Sequence, residues 1–150
     1  MSQTLHTTLV FEREIAAPAE AVFAAFADSV ARAAWGTPSD TAIVIYDEAD
    51  FRDGGRDRFR CGSKTDPNIH GATHYLEITA SRRIVSSETI TMDGRRLCAS
   101  LITLELTPNG RNTKLKITTQ LASFIGQDMV NGHTAGTNAS LDNLVKFFAK

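Results

Sequence analysis

His74 and Glu88 are the two residues whose types and spacing best suit acid–base chemistry. They flank Ser81-Arg82, a turn-like joint between two strand-like runs, so a hairpin brings them together. If Ala80 to Arg82 form a three-residue loop, Ile78 meets Ile84, Leu76 meets Ser86 and His74 meets Glu88, with the apolar residues on the inner face. A carboxylate beside an imidazole in a half-dry cavity holds one tautomer and raises its basicity, which prepares a general base. The same pairing also suits a structural ion pair or an exposed cross-strand pair. A second register competes with this one. Strict two-residue turns at Asp93-Gly94 and Asn109-Gly110 pair Leu104 with Leu115 and Ile102 with Ile117, but turn Val85, Ser87 and Thr89 inward and Glu88 outward. One bulge near Asp93 reconciles the two, because a single extra residue flips the face.

Other reactive side chains form weaker constellations. Of His6, His70, His74 and His133, only His70 and His74 are close in sequence. Four apart on a strand they would share a face at about 13 Å, too far for one ion. The sequence holds no phosphate-binding glycine loop, nucleophile elbow or zinc motif, so neither metal nor cofactor is expected. Cys61 and Cys98 read as buried free thiols. In the second register Cys98 and Ser100 share a face with Ile102 and Leu104 and add small polar groups to a pocket wall, without an activating base for a nucleophile. Trp35, Phe59 and Phe124 are aromatic candidates for that wall or for plain core. Arg52, Arg56, Arg58 and Arg60, mixed with Asp53 and Asp57, read as a solvated strand face.

The elements that must position these groups follow from periodicity. Leu5 to Ile15 alternates as a first strand with Leu9 and Phe11 on one face. Pro18 opens a short helix in which Ala19, Val22, Phe23 and Phe26 share a face, and Val30 to Trp35 gives a second, ended by Gly36 and Pro38. From Thr41 to about Leu121 the pattern is strand-like: Ala42 to Tyr46, Arg56 to Cys61 after the Gly54-Gly55 turn, Thr73 to Thr79, Ile84 to Thr91, Leu97 to Leu106 and Lys114 to Leu121. Asp93-Gly94 and Asn109-Gly110 are strong hairpin signals. A connection from Ala122 to about Gly132 leads to a last helix starting between Asn131 and Gly136. On it Leu141, Leu144, Val145 and Phe148 form an apolar stripe, which continues backward as Thr134, Thr137 and Asn138. A stripe that turns polar at one end borders a solvated pocket or protrudes into water.

Hairpins force antiparallel neighbours, and a meander of this length needs a cover for its apolar face. The fold class is therefore α+β: a curved antiparallel sheet wrapped around a long C-terminal helix, the helix-grip arrangement, with two short helices after the first strand. The 150 residues fit a single domain over 1–150. With 16 basic and 17 acidic residues there is no charge imbalance to favour nucleic acid. No apolar run reaches a membrane span and the N-terminus lacks a signal-peptide layout, so no membrane partner is expected and the expected compartment is the cytoplasm. A homodimer rests on Ile84 and Ile90, which one register leaves exposed.

Trp35 after a helical hairpin, DFRDGGRDRFR from Asp50 to Arg60, GATHYLEITASRRIV from Gly71 to Val85 and GTNASLDNL from Gly136 to Leu144 carry a family resemblance. Together they resemble the bacterial proteins similar to the activator of the ninety-kilodalton heat-shock-protein ATPase. That branch lies within the START and birch-pollen-allergen superfamily, also called SRPBCC. The resemblance covers nearly the whole chain. It implies the helix-grip fold and an internal cavity for a small hydrophobic or amphipathic molecule, with cyclases, dehydratases and hydrolases among its enzymes. Many relatives carry Gly-Trp where this chain has Gly136-Thr137, a departure that removes an aromatic wall. The eukaryotic activator works with a separate chaperone-binding domain, for which 150 residues leave no room, so chaperone activation is not carried over.

The expected activity is binding of a small apolar or amphipathic molecule in the cavity, with ligand contacts from Trp35, Phe59, His74, Glu88, Cys98, Ser100, Phe124, Thr134, Thr137 and Asn138. The alternatives are an enzyme with His74 as base and Glu88 orienting it, or a regulatory protein-interaction module.

Overall fold

Alternation of apolar and polar residues along seven segments produces seven strands, all in one antiparallel sheet. The computed structural model describes residues 4–37 and 39–149. Strand β1 is Leu5–Ile15, helices α1 and α2 are Ala19–Ala27 and Ser29–Gly36, and β2 is Ala42–Ala49. The meander continues as β3 (Arg56–Ser63), β4 (Ile69–Thr79), β5 (Arg83–Met92), β6 (Arg95–Asn109) and β7 (Asn112–Ser123), and the chain closes with α3 (Gln127–Phe148). Strand order is β1-β7-β6-β5-β4-β3-β2. This is the expected α+β helix-grip architecture. Pro38 lies outside the described residues.

The two short helices are set by their ends. Pro18 sits at the N-cap of α1 rather than in its first turn, and its carbonyl accepts from Ala21 and Val22. Asp28 ends α1 and then caps α2, its carboxylate accepting from the Val30 N–H at 2.9 Å. Ala19, Val22 and Ala25 are buried, while Phe23 and Phe26 pack against the main core. That core joins Phe11, Ile15, Val22, Leu104, Leu115, Leu141 and Leu144; a second cluster gathers Ile90, Leu97, Cys98, Leu121 and Val130. Leu141 and Leu144 are 1% and 0% exposed, and burial of each such side chain contributes about 1.5–3 kcal/mol.

Register decides which side chains reach the inside. Thr79 pairs with Arg83 and Ile78 with Ile84, as a three-residue loop requires, and Ser81 in that loop has φ of 62°. A bulge between Tyr75 and Glu77 then leaves Leu76 unpaired, so Tyr75 meets Ser86, His74 meets Ser87 and Thr73 meets Glu88. His74 is thereby exposed on the outer face, and the His74–Glu88 pair does not form. A second bulge, between Ile90 and Thr91, leaves Leu97 unpaired: Met92 meets Arg95 across the Asp93-Gly94 turn, whereas Ile90 meets Cys98. This is the expected bulge near Asp93, and it turns Glu88 inward opposite Ser100. Both Asp93 and Gly94 have positive φ, as a type I′ turn needs.

The next turn falls one residue later than its dipeptide signal. Asn109 pairs with Asn112, so Gly110-Arg111 are the central residues, and Gly110 takes the positive φ of 66° that suits the first position of a type II′ turn. Leu104 consequently meets Ile117, and Leu106 meets Leu115. The two-residue slip preserves every face, which is why the inward assignment of Ile102 and Leu104 survives.

Three further expectations are corrected. Helix α3 begins at Gln127, well before Asn131, because β7 runs to Ser123 and only three residues connect them; the Ser123 hydroxyl donates to the Gly126 carbonyl at 2.7 Å. Ile84 and Ile90 are 6% and 8% exposed, which removes the basis for a homodimer. Asp57 is not on the solvated face: β3 alternates Asp57, Phe59 and Cys61 inward against Arg56, Arg58 and Arg60, and Asp57 is 0% exposed.

Candidate functional site

A cavity of about 430 Å³ opens between the sheet and the N-terminal half of α3, with a deeper compartment of about 230 Å³ adjoining it. The two share Phe26, Arg32, Trp35, Tyr46, Phe59, Glu88 and Ile117 as walls. Helix α2 delivers Arg32 and Trp35 because three residues along a helix bring both to one face. Trp35 is fixed by its indole N–H, which donates to the Ala25 carbonyl at 3.1 Å, and by edge-on packing with Phe26. The far end of α2 is tied to α3: the Ser140 hydroxyl donates to Gly36 O and the Asn143 amide to Thr37 O, each at 2.7 Å. Phe59 lies over Gly71, its cross-strand partner; a Cβ on Gly71 would sit 2.0 Å from the Phe59 ring. Only glycine leaves room for the ring there.

Most of the wall is apolar, with Val44, Ile69, Ile90 and Leu141 adding to the aromatics. The polar exceptions are few. Arg32 has 11% of its side-chain surface exposed and donates through Nη1 to Asp57 Oδ2 at 2.5 Å and to Tyr75 Oη at 2.9 Å. The Tyr75 hydroxyl in turn donates to Asp57, whose other oxygen accepts from the Asp50 backbone N–H at 3.2 Å. The Arg32 guanidinium also lies over the Tyr46 ring, 4.5 Å from its centroid. Its Nε and Nη2 are buried and have no hydrogen-bond partner among the described residues.

Glu88 projects from β5 into the walls of both compartments and is half-buried there. Burial pushes its carboxyl up to about 7, with the Thr73 hydroxyl opposite it on β4 pulling the other way. Burial likewise raises the Tyr46 phenol and the Cys61 thiol, and lowers the His133 imidazole. Just below pH 7 the groups that line the cavity are therefore mostly uncharged, apart from Arg32, whose charge is paired with the buried Asp57 behind it.

Of the residues expected at the site, Trp35, Phe59, Glu88 and Thr137 line the cavity. The others do not. His74 is outside. Cys98 and Ser100 point inward from β6 but are packed beneath the wall; burial pushes the Cys98 thiol up to about 11, and Ser100 Oγ has no hydrogen-bond partner among the described residues. Phe124 follows the end of β7 and lines neither compartment. On α3 the cavity stripe is His133, Gly136, Thr137 and Ser140, turned from the expected Thr134, Thr137 and Asn138. The Thr134 hydroxyl donates back to the Val130 carbonyl at 2.7 Å. Asn138 accepts from Arg13 of β1 at 2.9 Å.

Arg32, Tyr46 and His133 were not anticipated. For Arg32 a signal existed: it stands three residues before Trp35, and the alternation that turns Phe59 and Cys61 inward also turns Asp57 inward to receive it.

No helix among the described residues is long and apolar enough to cross a membrane. The family model described as "Activator of Hsp90 ATPase homolog 1-like protein" matches residues 16–149. Among solved structures, the Mll3558 protein from Rhizobium loti is similar at 33% identity, covering 96% of this chain and 98% of that one with a TM-score of 0.85. An uncharacterized protein from Rhizobium leguminosarum matches at 28% identity over 99% and 97% of the two chains, also with a TM-score of 0.85. The CV1439 protein from Chromobacterium violaceum shares the fold at 24% identity and a TM-score of 0.79, over 96% and 99% of the chains. No curated protein matches.

Proposed function

The chain belongs to the activator of Hsp90 ATPase homolog 1-like family, and on that premise we propose that it binds a small apolar or amphipathic molecule between the sheet and α3. The observation that carries this reading is the wall itself: about 430 Å³ enclosed chiefly by aromatic and aliphatic side chains, with a few convergent polar groups. Cavities of roughly 300–1,000 Å³ with that balance are the usual form of small-molecule sites. Affinity would come from burying the ligand's apolar body at about 25 cal/mol per Å². Orientation would come from Arg32, Glu88 and the polar stripe of α3. Acid–base catalysis by His74 with Glu88 loses its geometry, because the two side chains leave opposite faces of the sheet.

The test is a calorimetric titration with naphthalene, a probe that offers only an apolar surface, against the native protein and Thr137→Trp. An indole in place of the Thr137 side chain takes up space in the cavity wall. Native protein should bind with a negative heat-capacity change, and the variant should bind at least about tenfold more weakly while keeping its far-ultraviolet spectrum. Equal affinity in the two proteins, or no binding to the native one, removes the proposal.

A further inference from the structure

Resting on the cavity reading above, we propose that the ligand is an elongated apolar molecule reaching from the outer compartment into the inner one, and that Gly71 admits it by letting the Phe59 ring lie down against the sheet. Where the compartments adjoin, Tyr46, Phe59, Glu88 and Ile117 form the sheet side of a neck, and Phe26, Arg32 and Trp35 form its helical side. Beyond the neck the inner compartment of about 230 Å³ is walled chiefly by Phe51, Ile84, Ile102 and Leu104. A ligand confined to the outer compartment would leave those apolar walls without contact. Each methylene carried past the neck into them raises affinity by about fourfold.

The width of that neck depends on how the Phe59 ring lies. Phe59 pairs with Gly71 across β3 and β4, and a Cβ on Gly71 would stand 2.0 Å from Cζ, 2.4 Å from Cε1 and 2.5 Å from Cε2 of the ring. These are the three atoms at the far end of the ring, so it lies across β4 instead of standing up toward the helices. Gly71 does not take the positive φ of Gly54 or Gly62, so an alanine there brings a methyl group and no backbone strain. The methyl must displace the ring. Toward β2 the way is taken by Tyr46, the other cross-strand partner, whose ring centroid is 5.9 Å from that of Phe59 and which carries the Arg32 guanidinium over its face. The direction left to a displaced ring is into the neck. Gly71 itself lines neither compartment, so it acts through Phe59 as a positioning residue.

The experiment is a fluorescence titration with naphthalene, 2-ethylnaphthalene and 2-butylnaphthalene. In native protein affinity should rise on the order of 10²-fold from naphthalene to the butyl compound. Gly71→Ala should bind naphthalene within about threefold of native protein but keep less than about a tenth of the gain from the butyl chain. Gly71→Ala/Phe59→Leu, which removes the ring, should recover most of it. Ile102→Phe, which fills the inner compartment from β6 and leaves Gly71 and Phe59 as they are, should also lose the gain. A gain of native size in Gly71→Ala or in Ile102→Phe, no gain in native protein, or no recovery in the double variant overturns the proposal while leaving the cavity reading intact. Unfolding of Gly71→Ala that Phe59→Leu does not repair also overturns it, since the methyl would then meet something other than the ring. Failure of naphthalene itself to bind native protein overturns both.

Discussion

Replacing Glu88 by Gln should make the protein more stable, and only above mildly acidic pH. The ordinary carboxyl value is 4.5 and burial carries Glu88 to about 7. Between those values the folded protein holds a proton that the unfolded chain has released. Stability contributed by the protonated group is thus fully present below 4.5 and is lost as pH rises through about 7. At 1.36 kcal/mol per tenfold, the loss amounts to about 3 kcal/mol by pH 8. Glutamine has nearly the same shape and never ionises, so its own burial cost is independent of pH. The difference in unfolding free energy between Glu88→Gln and native protein should therefore be flat below about pH 4.5 and rise by about 3 kcal/mol toward pH 8. Urea unfolding at intervals of half a pH unit measures it, and the same change corresponds to roughly 6–12 °C in Tm for a domain of this size. A difference that does not vary with pH, or that falls as pH rises, would refute the reasoning that Glu88 sits protonated in a dry cavity.

Asp57→Asn should cost about 3–5 kcal/mol in urea unfolding because it leaves the Arg32 guanidinium buried beside a neutral amide; adding Arg32→Met should recover most of that loss, and no recovery would mean that the pair is not the coupled unit described. Gly71→Ala should lower stability by about 1–3 kcal/mol by pushing Phe59 off its seat, and Phe59→Leu in the same chain should restore part of it, as thermal unfolding will show. His74→Ala should change stability by less than about 0.5 kcal/mol and leave naphthalene affinity unchanged; a large loss of either would return His74 to the site.

The architecture was legible because its signals are local. Leu5 to Ile15 alternates, Asp93-Gly94 satisfies a turn that demands two positive φ values, and Leu141, Leu144, Val145 and Phe148 can only be one face of a helix. The site was legible in part, for reasons that turn on single residues. Leu76 and Leu97 are ordinary apolar strand residues, so nothing in their type announces a bulge, yet the first sends His74 outside and the second sends Glu88 inside. Gly110 could serve as either central residue of its turn, and the two-residue slip that follows keeps all faces, so that error was harmless. On α3 the period of 3.6 lets two stripes run back from Leu141, and Arg13, more than 120 residues away, selects Asn138 for β1 rather than for the cavity. Arg32 and Asp57 are hard to read from sequence because charge ordinarily marks a solvated position, although Asp57 keeps the parity of Phe59 and Cys61.

The central claim is that a small molecule occupies the space between the sheet and α3, and a crystal structure of the protein grown with 2-bromonaphthalene tests it most directly. The account predicts an anomalous bromine peak among Trp35, Phe59, Ile90 and Leu141, inside the cavity. A peak in the outer-face groove beside His6, Leu101 and Gln120, with the cavity holding only ordered water, would contradict it.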